Sequence, residues 1–337
     1  MPEYSDLEKY DPGGMHKIYD RWPQIARESY EANLESVDFK DIDHIVFSGM
    51  GGSGALGDLF SAILSKNDVH VNVVKGYLLP KTVDSKTLVV TTSISGNTDE
   101  TLTILDSAKK SDCKIVAFSS GGKMEEYCLK NNIAHRKISM YYSPRASFPA
   151  FLYSILKTLN SIIPVKKNDI KESIAEMENS QKLISSSNLG ENNPSLKLAE
   201  WINGIPLIYY PWGLEAAAIR FKASLQENAK SHAIVEDVIE ACHNGIVSWE
   251  KPSKIKPILL EGQDDYIKTK ERWNILKEFF ETKKIDYWEV LSVEGNILSK
   301  LITLNYQLDY TSIYLAVLSN TNPTPISPID FIKNRLQ

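Results

Sequence analysis

The 337-residue chain is predicted to be an α/β protein of two units, each a mostly parallel β-sheet flanked by helices. Three observations carry that expectation. Short apolar, β-branched runs alternate with helical runs of about ten residues, the rhythm of parallel strands joined by crossover helices. The runs lack polar alternation, as strands covered on both faces should. The chain is also too long for one typical compact unit, and the same rhythm returns in its second half. The expected boundaries are residues 1–155, a helical lead-in with the first unit, and 156–337, linker helices with the second unit and a closing helix.

The first forty residues, including HKIYDRWPQIARESYEANLESV, read as partly amphipathic helix. The strands HIVFSG, HVNVVKGY, TLVVTTSISG, KIVAFSSGG and the shorter IAHRKIS follow. Between them lie ALGDLFSAIL, DETLTILDSAKKS and KMEEYCLKN, which have helical spacing. After SPRASFP comes the helical run AFLYSILKTLNSII, and 163–200 is more polar, rich in Lys, Glu, Ser and Asn. The second half supplies the strands PLIYYP, KPILLEG and IDYWEVLS. Its helices are LEAAAIRFKASLQEN, TKERWNILKEFFETKK, a run near SKLITLNYQLDYTSIYLAVLSN, and PIDFIKNRLQ. Two units of similar size fit a degenerate duplication, though internal identity is too faint to prove one.

Composition narrows the function. A formal net charge of −5 gives no broad basic surface for nucleic acid or acidic lipid. An anionic ligand must therefore be met by a local site. Cys113, Cys128 and Cys242 have neither zinc nor disulfide-scaffold spacing, which suits a reducing, cytoplasmic compartment. The start, MPEYSDLEKYDPGG, has no apolar core of a signal peptide, and no run reaches the length of a membrane span. No metal and no cofactor is implied.

The most informative stretch is FSGMGGSGALGDLF, Phe47–Phe60. A strand ending in a glycine-rich turn that feeds a helix is an anion site, because glycine lets the backbone approach and the helix N-terminus offers free N–H groups. Gly49, Gly51 and Gly54 match the dinucleotide pattern nominally, but the next strand ends in Lys75 rather than the acidic ribose partner. No Gly-Lys-Ser/Thr follows, so the phosphate loop of nucleotide hydrolases is excluded. The hydroxyls point to a single phosphate instead. Ser53 sits in the turn, and Ser93, Ser95 and Thr98 sit at a second strand-to-helix junction, SISGNTDE. In a parallel sheet the two junctions share the carboxyl edge. The plainer alternative for the second junction is an N-cap by Asn97 or Thr98, with Asp99 and Glu100 in the first turn. A third junction, FSSGG, lines the same edge. Arg145, in SPRA, is either structural or a phosphate or sugar contact.

In the second half, LQENAKSHAIVEDVIEACHNGI holds Glu227 near a helix end and His243 sixteen residues later. A carboxylate and an imidazole can shuttle a proton as base and acid. Taken alone, Glu227 fits a solvated helix surface better than a catalytic base, and Lys333 reads as a surface lysine.

Together these landmarks resemble the bifunctional phosphoglucose/phosphomannose isomerases of archaea and some bacteria, members of the phosphoglucose isomerase superfamily. The resemblance runs from GMGGSG through SxSGNTxE, SPRA, ENAK and HN to the closing P-x-D-x-x-K. It implies two sugar isomerase (SIS) domains, each a three-layer sandwich. It also implies interconversion of glucose 6-phosphate, and secondarily mannose 6-phosphate, with fructose 6-phosphate through a cis-enediolate. By the same resemblance Gly51, Gly52 and Ser53 line the first phosphate-side loop, and Ser93, Ser95 and Thr98 grip the phosphate. Arg145 stabilises the enediolate, Glu227 moves the proton between C1 and C2, and His243 and Lys333 assist ring opening. The implied partners are a phosphorylated hexose and a second copy of the chain, whose histidine completes the site.

Two departures stand out. Cys242-His243-Asn244 replaces the family's His-His-Asn, which makes Cys242 a packing substitution. NPTPISPID differs from the threonine-proline form tied to dual activity, and Ser327 falls near that threonine and keeps a hydroxyl. The competing functions are another sugar-phosphate isomerase, a noncatalytic phosphosugar-binding protein and a nucleotide-binding enzyme. The noncatalytic protein would not need Glu227, His243 and Lys333 together. The nucleotide enzyme lacks its acidic ribose partner.

Overall fold

A computed structural model of the chain describes residues 3–336. Met1, Pro2 and Gln337, at the ends of the two expected units, lie outside the described residues. The chain divides into two compact units. One holds Arg21–Ala175 with Asn296–Ser299, and the other holds 3–20, 176–295 and 300–336.

The first unit contains β1 (His44–Ser48), β2 (His70–Val74), β3 (Thr87–Ser93), β4 (Lys114–Ser119) and β5 (Ala134–Lys137). All pair in parallel in the order β2-β1-β3-β4-β5. β1 and β3 are buried along their whole length, which explains their unbroken apolar and hydroxyl character. The sheet is covered on both faces. Phe47 of β1 stacks on Phe60 of the helix Gly51–Leu64, with ring centroids 5.1 Å apart. Val46 and Val89 point the other way, to Ile104 and Ala108 of the helix Asp99–Lys109. Three layers result. Gly57 allows the first helix to lie close on the sheet, because a Cβ there would stand 2.9 Å from Val73 Cγ1.

The second unit contains β6 (Ile205–Tyr210), β7 (Ile234–Asp237), β8 (Ile255–Glu261) and β9 (Trp288–Leu291), all parallel, in the order β7-β6-β8-β9. This is the strand order of the first four strands of the other sheet, the topological mark a duplication would leave. Leu207, Tyr209 and Leu259 pack with Trp273, Leu276 and Phe280 of the helix Ile267–Lys283. Trp249 donates its indole N–H to the Tyr209 hydroxyl at 2.9 Å, so two large polar tips are satisfied inside that core.

The structure adds one strand and groups the chain into compact units differently from the sequence expectation. β7 has no counterpart among the expected strands, because its four residues, IVED, carry two charges and run straight into the short helix Val238–Ala241. The domain boundary also differs. The helix Phe148–Thr158 belongs whole to the first unit, so residue 155 falls inside an element. The first twenty residues, expected with the first sheet, belong to the second unit. Polar pairing explains this. Tyr19 donates its hydroxyl to Asp309 at 3.2 Å, Tyr306 donates to the Tyr19 carbonyl at 2.8 Å, and Tyr310 donates to the His16 carbonyl at 3.1 Å. Among the described residues no helix is long and apolar enough to cross a membrane.

Candidate active site

The glycine turn joins β1 to the helix Gly51–Leu64. Gly51 has φ +52, where a side chain would be strained. A Cβ on Gly54 would stand 2.9 Å from the Gly49 carbonyl oxygen, so glycine is what lets the turn close. Ser53 is buried, and its Oγ accepts the backbone N–H of Ile94 at 3.2 Å. This bond ties the turn to the loop after β3. Lys75, where a dinucleotide fold wants an acid, turns back to Asp58 of the same helix at 2.6 Å.

In the loop after β3, Ser93 is buried and donates its hydroxyl to Thr98 Oγ1 at 2.9 Å. Thr98 occupies the N-cap position but makes no side-chain cap bond. The simple capping alternative thus fails, and the first-turn N–H groups remain available to an anion. Ser95 is half-buried, and its Oγ accepts the Asn97 N–H at 3.3 Å. The loop FSSGG buttresses this one from below. Ser120 N–H donates to Ile94 O at 3.1 Å, Lys123 N–H to Asn97 Oδ1 at 3.1 Å, and Met124 N–H to Gly96 O at 2.9 Å. A Cβ on Gly96 would stand 1.8 Å from the Gly121 carbonyl oxygen, and Gly96 has φ +74. Gly96→Ala is therefore expected to push the two loops apart at a cost of about 1–3 kcal/mol. Phosphosugar affinity should fall by about tenfold or more, read by calorimetric titration with fructose 6-phosphate. Unchanged affinity would show that this loop does not grip the ligand.

Arg145 is buried, 5% exposed. Its turn is fixed by Ser147 Oγ, which accepts from Tyr141 N–H at 2.8 Å, and by Trp22, which donates its indole N–H to Ala146 O at 2.9 Å. A Cβ on Gly52 would stand 3.6 Å from the Arg145 Cα, which places the arginine loop beside the glycine turn. Gly51, Gly52, Ser53, Ser93, Ser95, Thr98 and Arg145 thus gather at one carboxyl edge. It is the point where the chain leaves β1 and β3 in opposite directions, the standard ligand crevice of such sheets.

The second unit carries the remaining candidates. Glu227 is the last residue of the helix Glu215–Glu227 and is half-buried. It lines a cavity of about 620 Å³ with Gln226, Lys230 and Ser327. The structure thus brings the expected base and Ser327 together. Lys333 ends the exposed helix Ser327–Lys333. His243 does not line this cavity. It sits on an exposed turn between Val238–Ala241 and the 3₁₀ helix Gly245–Glu250. Beside it, Cys242 packs on the core that holds Leu207, Val238 and Trp273.

Two further thiols are inert by environment. Burial pushes the Cys128 thiol up to about 12, and burial with the nearby Asp112 charge pushes Cys113 up to about 11. Since thiolate is the nucleophile, both should resist iodoacetamide at neutral pH, read by peptide mass mapping. Rapid labelling of either would contradict this.

Sequence reasoning gives no role to Lys230 or Asp309. Lys230 carries a signal, standing just past the helix of Glu227 in the ENAK run. The importance of Asp309 depends on contacts 85 and 89 residues away and leaves none.

Comparison with known proteins fits this geometry. Residues 38–158 match the SIS domain, and residues 191–336 match the bacterial phospho-glucose isomerase C-terminal SIS domain. The bifunctional phosphoglucose/phosphomannose isomerase of Caldicellulosiruptor bescii is 34% identical over 329 residues, covering 93% of this chain and 96% of its own. The chain belongs to the bifunctional phosphoglucose/phosphomannose isomerase family. The Aquifex aeolicus member is 32% identical, covering 94% of each chain. A hypothetical protein from Thermus thermophilus shares the fold, with a TM-score of 0.73 at 15% identity over 98% of this chain and 92% of its own. The two SIS domains expected from the sequence are therefore present, and the chain is an isomerase of this family.

Proposed function

We propose that the protein interconverts glucose 6-phosphate and mannose 6-phosphate with fructose 6-phosphate by proton transfer through a cis-enediolate. The observation that carries this reading is Glu227, a half-buried residue that lines a cavity together with Ser327. The hydroxyls and amides of the first unit hold the phosphate monoester, so remote binding orients the reacting carbons. His243 and Lys333 assist opening of the sugar ring and expose the aldehyde. Glu227 then takes the proton from C2, the electron pair forms the C1–C2 double bond, and the carbonyl oxygen becomes an oxyanion. Arg145 offsets that charge as it develops, where it has most leverage. The O2 hydroxyl proton then passes to O1, the carboxylic acid returns its proton to C1, and the electron pair on O2 forms the C2 carbonyl of the ketose. Glucose 6-phosphate and mannose 6-phosphate differ only at C2, which is planar in the enediolate, so one intermediate serves both.

This mechanism predicts exchange with solvent. In D₂O, deuterium should enter C1 of fructose 6-phosphate and C2 of the aldose products, read by proton NMR. Turnover with complete retention of the original proton at every stage of conversion would favour a hydride shift and contradict the enediolate.

The exposed place of His243, outside the Glu227 cavity, favours its service to a neighbouring subunit in a homodimer. E227Q and H243A should each be inactive alone. Mixed after dissociation and reassociation, they should regain about a quarter of wild-type activity, since one of two sites in each heterodimer is intact. No recovery, with heterodimers demonstrated, would place the histidine in its own subunit's site. A cytoplasmic setting suits these free thiols and this substrate class.

A further inference from the structure

Lys230 follows the helix that bears Glu227 and has no part in the proposed chemistry. Its backbone is left-handed, with φ +56, an uncommon conformation for a residue with a Cβ. Its ammonium group donates to three main-chain carbonyls, those of Glu227, Pro323 at 3.3 Å and Pro325 at 2.8 Å. Each acceptor suits such a donor. The Glu227 carbonyl lies in the last turn of its helix, where intrahelical donors run out. Pro323 and Pro325 have no N–H and flank Thr324, which disfavours strand pairing and leaves their carbonyls to a side-chain donor. A lysine ammonium carries three donors and no acceptor. It therefore staples the proline loop to the residue that bears the carboxylate.

The loop leads directly to Ser327 and the helix ending at Lys333. No residue of that helix is buried, so apolar burial within the described chain does not fix it. Ser327 and Pro325 form one wall of the 620 Å³ cavity, and Glu227 and Lys230 form another. We propose that Lys230 is a positioning residue that sets the spacing between Glu227 and the C-terminal segment carrying Ser327 and Lys333. It acts through the Glu227 backbone and the Pro323 and Pro325 carbonyls. This rests on the reading of Glu227 as the base. Freeing the strap displaces one wall of the site from the other, and misplacement by about 1 Å costs on the order of a hundredfold in rate.

The test uses full-length K230M, which keeps the stem and removes the donors, with K230Q, K230R and E227Q. Steady-state kinetics with fructose 6-phosphate and limited proteolysis of the C-terminal segment, followed by mass, are measured on each. K230M should lower kcat by about 30-fold with KM within about threefold, because the phosphate loops are untouched. The segment after Leu318 should be cut about tenfold faster than in wild type, as expected for a region released to local opening. K230Q, with one amide donor, should fall between, and K230R should restore protection and most of kcat. Wild-type kcat and protection in both K230M and K230Q would overturn the proposal, as would a loss carried by KM with kcat intact. An active E227Q would overturn the assignment of the base. Proteolysis reads the strap without reference to turnover, so the two failures are distinguishable.

Discussion

Glu227→Gln is expected to lower kcat by about 10³- to 10⁴-fold, the range a positioned general base contributes. Affinity for fructose 6-phosphate should change by less than about threefold, since glutamine is nearly isosteric and the phosphate is held by other residues. Glu227 lines the cavity it shares with Ser327, and in the proposed mechanism the substitution removes the group that accepts the C2 proton. Equilibrium binding by calorimetry separates the two effects. A variant that binds and does not turn over fits the account. A variant that turns over normally shows that another group is the base.

The second large effect falls on stability. Asp309→Ala should destabilise the protein by about 3–5 kcal/mol, because it removes one partner of a buried ion pair. Asp309 is fully buried and Arg220 is 3% exposed. Asp309 accepts from Arg220 Nη2 at 2.5 Å, from Ser224 Oγ at 2.5 Å and from Tyr19 OH at 3.2 Å. Asn228 extends the row by donating to Ser312 at 2.9 Å. Arg220, Ser224 and Asn228 recur every four residues, so one face of the Glu227 helix is tied to the long helix Ile297–Leu318. The thermal midpoint should drop by about 10 °C. Replacing Asp309 and Arg220 together with Leu and Met should recover much of that loss, because the buried ion pair is then replaced whole rather than broken. A double variant as unstable as the single one would mean that geometry, rather than the broken pair, dominates.

The parts of the fold read from sequence are those whose cause is local. β1, β3 and β4 are apolar runs ended by glycine, and their loops need Gly51 and Gly96 at positive φ, a requirement visible in the residue type itself. The hydroxyls of Ser93, Ser95 and Thr98 sit at one strand-to-helix junction, so their gathering follows from topology. β7 escapes because four residues with two charges give no period. The placement of residues 3–20 escapes because it is decided by hydroxyls of Tyr306 and Tyr310 far along the chain. Ser53 is legible as a turn hydroxyl, but not that it accepts from the Ile94 N–H. The strap by Lys230 has the same character. A lysine shows what it can donate, but not which carbonyls a proline loop will bring to it.

One assay tests the central claim most directly. The purified protein is incubated with fructose 6-phosphate, and glucose 6-phosphate and mannose 6-phosphate are followed together, with E227Q as the control. The account predicts that both aldoses form with the wild-type protein and that neither forms at an appreciable rate with the variant. A folded wild-type protein that forms neither would contradict it.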